Sequence, residues 1–167
     1  MARFEPMPLE LETERLELKL WEESDADWYR ELVGERGVDM PTPEAAHAKM
    51  VELRAKAFET GITLLSLRPK AEPAPIGYCG LIIGRATLDE PEIAYELFRR
   101  AHGRGYATEA ARAVLDAAIG TGRQRLWSTV RPWNAPSLRV LEKLGFRRHH
   151  STWDDRGEVV WNVRELP

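Results

Sequence analysis

Leu16, Leu18 and Leu20 alternate with Glu17 and Lys19, the two-residue period of a strand that buries one face. Pro6 and Pro8 punctuate the chain before it. Ser24, with Asp27 three positions on, resembles a capping box, and Trp28, Leu32 and Val33 then supply a short apolar helical face. Thr42-Pro43 is a second start signal, an N-cap with proline at the first helical position, and predicts a helix through Met50, Leu53 and Phe58 to Gly61. Residues 62–67 read as the next strand, 68–75 with three prolines as a turn, and 76–83 as another strand. Asp89-Glu90-Pro91 breaks the chain before a fourth strand over 93–98.

From Gly105 onward Ala107, Ala110, Ala111, Val114, Leu115 and Ala118 recur at helical spacing until Gly120 and Gly122 stop them. Small residues on that face suit close packing. Residues 126–130 form a fifth strand, 135–144 a helix closed by Gly145, and 146–153 with 159–163 a hairpin around Asp155-Arg156-Gly157. The predicted order is β, α, α, β, β, β, α, β, α, β, β, without internal repeat or low-complexity tract, so residues 1–167 are expected to form one domain.

Composition narrows the function classes. The 24 basic and 27 acidic side chains are mixed along the sequence and give a formal charge of −3, which points away from nucleic acid and anionic membranes. Cys79 is the single cysteine and lies in an apolar stretch, which fits a core position and a reducing, cytoplasmic setting. Arg3, Glu5, Glu10 and Glu12 are incompatible with the apolar region of a signal peptide, and no run approaches the ~20 apolar residues of a membrane span. The protein is therefore expected to be soluble and unprocessed.

The informative segment is Arg99-Arg100-Ala101-His102-Gly103-Arg104-Gly105-Tyr106-Ala107-Thr108-Glu109, between a strand and an Ala-rich helix. Two glycines one apart open backbone conformations closed to other residues, so successive N–H groups can converge on one anion. A helix N-terminus adds unsatisfied amides and partial positive charge, and Arg99, Arg100, His102 and Arg104 crowd the same turn. Together these suit a phosphate or pyrophosphate. The dinucleotide fingerprint is excluded because Thr108 stands where its third small residue belongs, and a P-loop because Gly-Lys-Ser/Thr is absent. Taken alone, the segment is equally compatible with a strand-to-helix turn carrying solvated arginines.

Arg100 to Gly105 matches the R/Q-x-x-G-x-G/A signature of the GNAT acetyltransferases, and Gly-Tyr-Ala-Thr-Glu-Ala continues as in the ribosomal-protein N-terminal acetyltransferase (RimJ/RimL-like) branch. Val130-Arg131-Pro132-Trp133-Asn134-Ala135-Pro136-Ser137, through Glu142-Lys143-Leu144-Gly145-Phe146, resembles a second segment of that branch, and Thr13-Glu14-Arg15-Leu16 its opening. The resemblance implies an α/β (α+β) GNAT fold: a mixed, mostly antiparallel seven-stranded sheet with about four helices in the order given above. It implies acetyl-coenzyme A as co-substrate, without a metal, inserted between the fourth and fifth predicted strands. The backbone of Leu97, Phe98 and Arg99 would pair with the pantetheine arm, and the amides of His102, Gly103, Arg104, Gly105, Tyr106 and Ala107 would hold the pyrophosphate. The Leu97 amide would stabilise the developing oxyanion, and Asn134 would contact the cofactor or, equally, cap the following helix.

Acyl transfer to an amine needs a neutral amine and a proton for the departing sulfur. At about 1.4 kcal/mol per pKa unit, neutralising an α-amine at pH 7 costs ~1 kcal/mol and a lysine ~4.6. Glu92 stands at the head of the fourth predicted strand, where some GNAT enzymes carry a Glu that deprotonates the amine, and the resemblance makes it the candidate base, with Glu96 on the same face and His149 and His150 as weaker candidates. Many GNAT enzymes carry a Tyr acid seven residues after the helix Asn, where this chain has Leu141; the resemblance to the RimJ/RimL-like branch, with Ser at the third position after Asn, implies Ser137 as the group that hydrogen-bonds the sulfur. The acceptor, a peptide N-terminus or a small amine, is expected between residues 34–43 and 149–158. Trp28, Trp133 and Trp153 are candidate walls, and Asp154, Asp155 and Glu158 candidate amine anchors. Trp21, Trp28, Trp127 and Trp161 fall on patterns that favour packing. The sequence leaves monomer and homodimer open.

Overall fold

The computed structural model describes residues 3–167. The elements are β1 (Glu10–Glu12), β2 (Leu16–Lys19), α1 (Ala26–Gly34), α2 (Pro43–Thr60), β3 (Leu64–Pro69), β4 (Gly77–Ile82) and β5 (Glu92–Leu97). There follow α3 (Tyr106–Ile119), β6 (Arg125–Val130), α4 (Ala135–Lys143), β7 (Arg147–Asp154) and β8 (Gly157–Glu165). The strands form one eight-stranded sheet ordered β1-β2-β3-β4-β5-β6-β8-β7. Every neighbouring pair is antiparallel except β5 and β6.

The sheet has one strand more than the seven expected. Glu10–Glu12 pairs with β2, Leu11 facing Leu18. Three residues with a single apolar side chain carry too short a period to stand out in sequence. What makes the strand is its turn: Thr13 N donates to Leu16 O (2.9 Å), and Leu16 N donates to Thr13 Oγ1 (3.0 Å). A second correction concerns the entry to α1. A 3-10 turn over Glu23–Asp25 precedes the helix, and Asp25 rather than Asp27 acts as its acceptor, taking Glu22 N at 2.8 Å. Asp25 also accepts Trp28 Nε1 (2.7 Å) and Arg68 Nη2 (2.8 Å), which compensates a carboxylate that is only 2% exposed.

Alternation along β3 and β4 divides the core between the two faces. Leu65, Leu67, Cys79 and Leu81 face α3 and α4, where Ala110, Ala111, Val114 and Leu115 pack closely because their side chains are small. Leu64 faces α1 and α2 with Trp21, Met50 and Leu53, and Trp28 stacks on Trp21 at 5.1 Å. Thr42 caps α2 by accepting Ala45 N at 3.1 Å, and Gly61 ends it in the left-handed region (φ 77°). Phe58, counted on the apolar face from sequence, lies exposed on the outside of α2. Burial pushes the Cys79 thiol well above its ordinary pKa, which leaves it an inert core group.

Candidate active site

The parallel strands β5 and β6 meet at one aligned pair, Glu92 with Trp127. Trp127 N donates to Pro91 O (2.9 Å) and Ser128 Oγ to Ile93 O (3.1 Å); beyond these the strands separate into a seam. Glu92 closes the narrow end. Its carboxylate is 4% exposed and accepts Thr129 N (2.9 Å), Thr129 Oγ1 (2.5 Å) and Arg85 N (2.6 Å). A Cβ on Gly84 would sit 2.1 Å from Glu92 Oε2, so glycine is what lets the β4–β5 loop wrap this carboxylate.

The other side of the seam follows from register. Leu97 faces Gly77 in the antiparallel β4–β5 ladder, and Phe98 N donates to Ile76 O at 2.8 Å. Backbone groups alternate along such a ladder, so the N–H and C=O of Tyr95 and Leu97 point away from β4 and into the seam. Of the three units expected to meet the pantetheine, Phe98 has its amide on Ile76 and Arg99 has its amide on Glu35 Oε1 (2.9 Å). Leu97 N–H is the amide directed at the opening, while Leu97 O takes His102 Nε2 at 2.9 Å.

The seam leads to the glycine bend. Gly103 and Gly105 both lie in the left-handed region, at φ 77° and 79°, and Gly105 is the N-cap of α3. The His102 amide closes a 3-10 turn onto Arg99 O (3.0 Å). Among the described residues, the amides of Gly103, Arg104, Gly105, Tyr106 and Ala107 have no partner. Unpaired amides at a helix N-terminus form a cradle for a diphosphate. A surface groove of about 550 Å³ adjoins Gly105 and Thr108 and carries Arg112 and Lys143. The basic side chains near the bend bind protein instead: Arg99 to Glu35 O, Arg100 to Pro75 O and Arg104 to Glu72.

Across the seam, Asn134 caps α4 by accepting Ser137 N at 3.3 Å. Ser137 Oγ donates to Tyr95 Oη (3.1 Å), whose own hydroxyl donates to Ser137 O (2.9 Å). Burial raises the Tyr95 pKa, against the opposing effect of the Ser137 hydrogen bond, so the phenol keeps its proton. Leu141 is core.

The rim where the acceptor is expected is assembled from ion pairs. Arg36, after α1, takes Glu96 with Nε (2.8 Å), and Tyr78 Oη donates to the same carboxylate (2.9 Å). Burial, then the Glu96 charge, pushes the Tyr78 phenol up. Asp154 is gripped by Arg131 (2.8 and 2.9 Å) and Arg85 (3.3 Å); the Arg131 hydrogen bonds, then the Arg156 amide, hold it well below the usual carboxylate range. Glu158 accepts Ser151 Oγ and Arg148, and Asp155 stays exposed. Two of the three expected amine anchors are thus already neutralised by arginines. Trp133 and Trp153 are 78% and 71% exposed, whereas Trp28 is packed on Trp21. His149 and His150 join Trp127 and Trp161 in an aromatic cluster on the far strands.

Sequence reasoning assigned no role to Tyr95, Arg36, Arg131 or Arg15, each of which acquires its partner only when distant segments meet. The sequence model of a family described as "Acetyltransferase (GNAT) domain" matches residues 15–147. The chain is 29% identical over 146 residues to the uncharacterized N-acetyltransferase p20 of Bacillus licheniformis, covering 83% of this chain and 82% of p20. An acetyltransferase from Agrobacterium tumefaciens superposes with a TM-score of 0.79 at 26% identity, covering 98% of both chains. RimL, a ribosomal L7/L12 α-N-protein acetyltransferase solved in complex with coenzyme A, superposes with a TM-score of 0.79 at 15% identity, covering 97% of this chain and 98% of its own.

Proposed function

Because the chain belongs to the GNAT acetyltransferase family, we propose that it transfers an acetyl group from acetyl-coenzyme A to a primary amine, a peptide N-terminus being the first acceptor to test. The observation that carries the proposal is a seam between parallel strands that runs to a bend of unpaired amides, Gly103 to Ala107. An unpaired strand edge suits an extended arm with its own amides, and the bend suits a diphosphate. When bound, acetyl-coenzyme A supplies an activated thioester whose carbonyl carbon takes the amine and whose sulfur leaves.

The protein's own groups divide the remaining work. Leu97 N–H, directed into the seam, is the donor for the acyl oxygen. Ser137 Oγ holds a proton that can turn from Tyr95 Oη toward the departing sulfur. Glu92 is buried and already accepts three donors, which weakens it as a base, so an acceptor that needs little help fits this site better. An α-amine costs ~1 kcal/mol to neutralise at pH 7, against ~4.6 for lysine. The arginine-paired rim also disfavours polycations, because Glu96 and Asp154 already have guanidinium partners.

Free-thiol release from acetyl-coenzyme A, followed with N-terminal peptides, amino acids, polyamines and aminoglycosides in parallel, tests the proposal. Release is expected with the peptides. Tight coenzyme A binding without release across the panel would make the protein an acyl-coenzyme A sensor, and release with small amines alone would move the acceptor class.

A further inference from the structure

The two glycines that allow the bend also leave it free to change shape. The Arg104–Gly105 peptide ends on a glycine, which crosses between left- and right-handed conformations at little cost, and a second glycine stands one residue before Arg104, so the local sequence leaves open which way the Gly105 N–H points. The structure supplies an external constraint from the start of β2. Arg15 Nη1 donates to Arg104 O at 2.9 Å. In a trans peptide the C=O and the following N–H point in opposite directions, so holding Arg104 O fixes the Gly105 amide on the opposite side.

Arg15 is itself held at several points. Its Nε donates to Glu109 Oε1 (2.7 Å) and its backbone N to Glu109 Oε2 (2.9 Å), and Thr13 Oγ1 donates to Glu109 Oε2 (2.5 Å). Its guanidinium lies over the Tyr106 ring, 4.5 Å from the centroid. Glu109 belongs to the first turn of α3, and Thr13 to the turn that creates β1 and β2. The hairpin tip is therefore docked onto the helix whose N-terminus forms the cradle. Burial raises the Glu109 pKa, but the Thr13 and Arg15 hydrogen bonds outweigh it and hold the carboxyl below its ordinary range.

We propose that Arg15, clamped by Glu109 and Thr13, is a positioning residue for the diphosphate-binding bend: it orients the 104–105 peptide so that the Gly105 amide stays presented to the ligand. The inference rests on the acetyl-coenzyme A assignment above. Lysine does not replace Arg15, since an ammonium cannot reach the Arg104 carbonyl and Glu109 in the same fork geometry. Side chains this exposed contribute little to global stability, so the effect falls on binding.

Calorimetric titration of coenzyme A into wild type, Arg15→Met, Arg15→Lys, Glu109→Gln and Gly105→Val tests it. If release lets the bend spend nine-tenths of its time in other conformations, affinity falls about tenfold, as for any site whose competent state is one-tenth populated. Arg15→Met is expected to weaken coenzyme A at least tenfold, Arg15→Lys nearly as much, and Glu109→Gln by several-fold, with kcat at saturating acetyl-coenzyme A within twofold of wild type. Loss in Glu109→Gln separates positioning from direct contact, since that variant keeps the Arg15 charge and removes only its clamp. The proposal falls if Arg15→Met and Glu109→Gln bind coenzyme A as wild type does while Gly105→Val does not. Failure of wild type itself to bind would instead overturn the acetyl-coenzyme A assignment.

Discussion

The proposed cofactor bend and the proposed acceptor rim are made of different materials. The bend is backbone: Gly103 and Gly105 in the left-handed region and a row of unpaired amides. The rim is side chains in opposite-charge pairs, Arg36 with Glu96 and Arg131 with Asp154, contributed by segments far apart in the chain. A backbone site can be read from the residues that permit its conformation. A side-chain site can be read only when the fold shows which residues face each other. Binding should therefore depend on a few positions at the bend, and on shared, redundant contacts at the rim.

The contrast is broken most sharply at Gly105. A β-branched residue cannot hold φ 79° without strain, so Gly105→Val is expected to lower coenzyme A affinity at least ~100-fold with unchanged far-ultraviolet circular dichroism. Undiminished affinity in the calorimeter would remove the bend from the site. Next in size is Glu92→Gln, which turns a carboxylate that accepts three donors into an amide that faces some of them with its own N–H groups. A loss of about 2 kcal/mol in urea unfolding is expected, the scale for stranding buried donors. A stable variant that instead lost the rise of kcat/KM with pH would identify Glu92 as the base.

Ser137→Ala should lower kcat about tenfold, a small effect for a general acid, because a thiol with a pKa near 8.5 leaves without much help. The KM for acetyl-coenzyme A should stay within twofold; turnover equal to wild type would take Ser137 out of the chemistry. The smallest expected effect is of pH. Glu109 at the bend and Asp154 at the rim both have depressed folded-state values. Their contributions are present above the unfolded carboxylate pKa near 4 and are lost only as pH falls through the lower folded values. Coenzyme A affinity and melting temperature should therefore show no step from these groups between pH 7 and about 5. A step in melting temperature there that Glu109→Gln abolishes would mean that the Glu109 clamp is weaker than its hydrogen bonds imply.

Legibility from sequence follows the same division. Long periodic elements such as α2 and α3 were plain because caps and apolar spacing agree, Thr42-Pro43 at one end and Gly61 at the other. Strand β1 was hidden because its stability lies in a Thr13 turn and in pairing with β2, neither of which has a periodic signature. Asp25 displaced Asp27 as the acceptor at the α1 entry because Arg68, forty-three positions away, compensates its burial. In the site, the glycine bend and the Asn134 cap were visible as local backbone chemistry. The Tyr95–Ser137 exchange was not, since it spans the seam between β5 and α4, and Arg15 sits eighty-nine residues from the carbonyl it holds.

An unpaired strand edge on the outside of a sheet invites another chain to add to it, which is how many proteins aggregate. Here the unpaired edge of β5 lies in the interior of an eight-stranded sheet, with four strands on one side and three on the other. β6 and Glu92 close one end of that gap, so a second protein's strand cannot be laid along it. A slender arm that carries amides but no bulky side chains is the kind of guest the opening admits. Recessing the edge gives the protein adhesive backbone for a ligand while denying it to other copies of the chain.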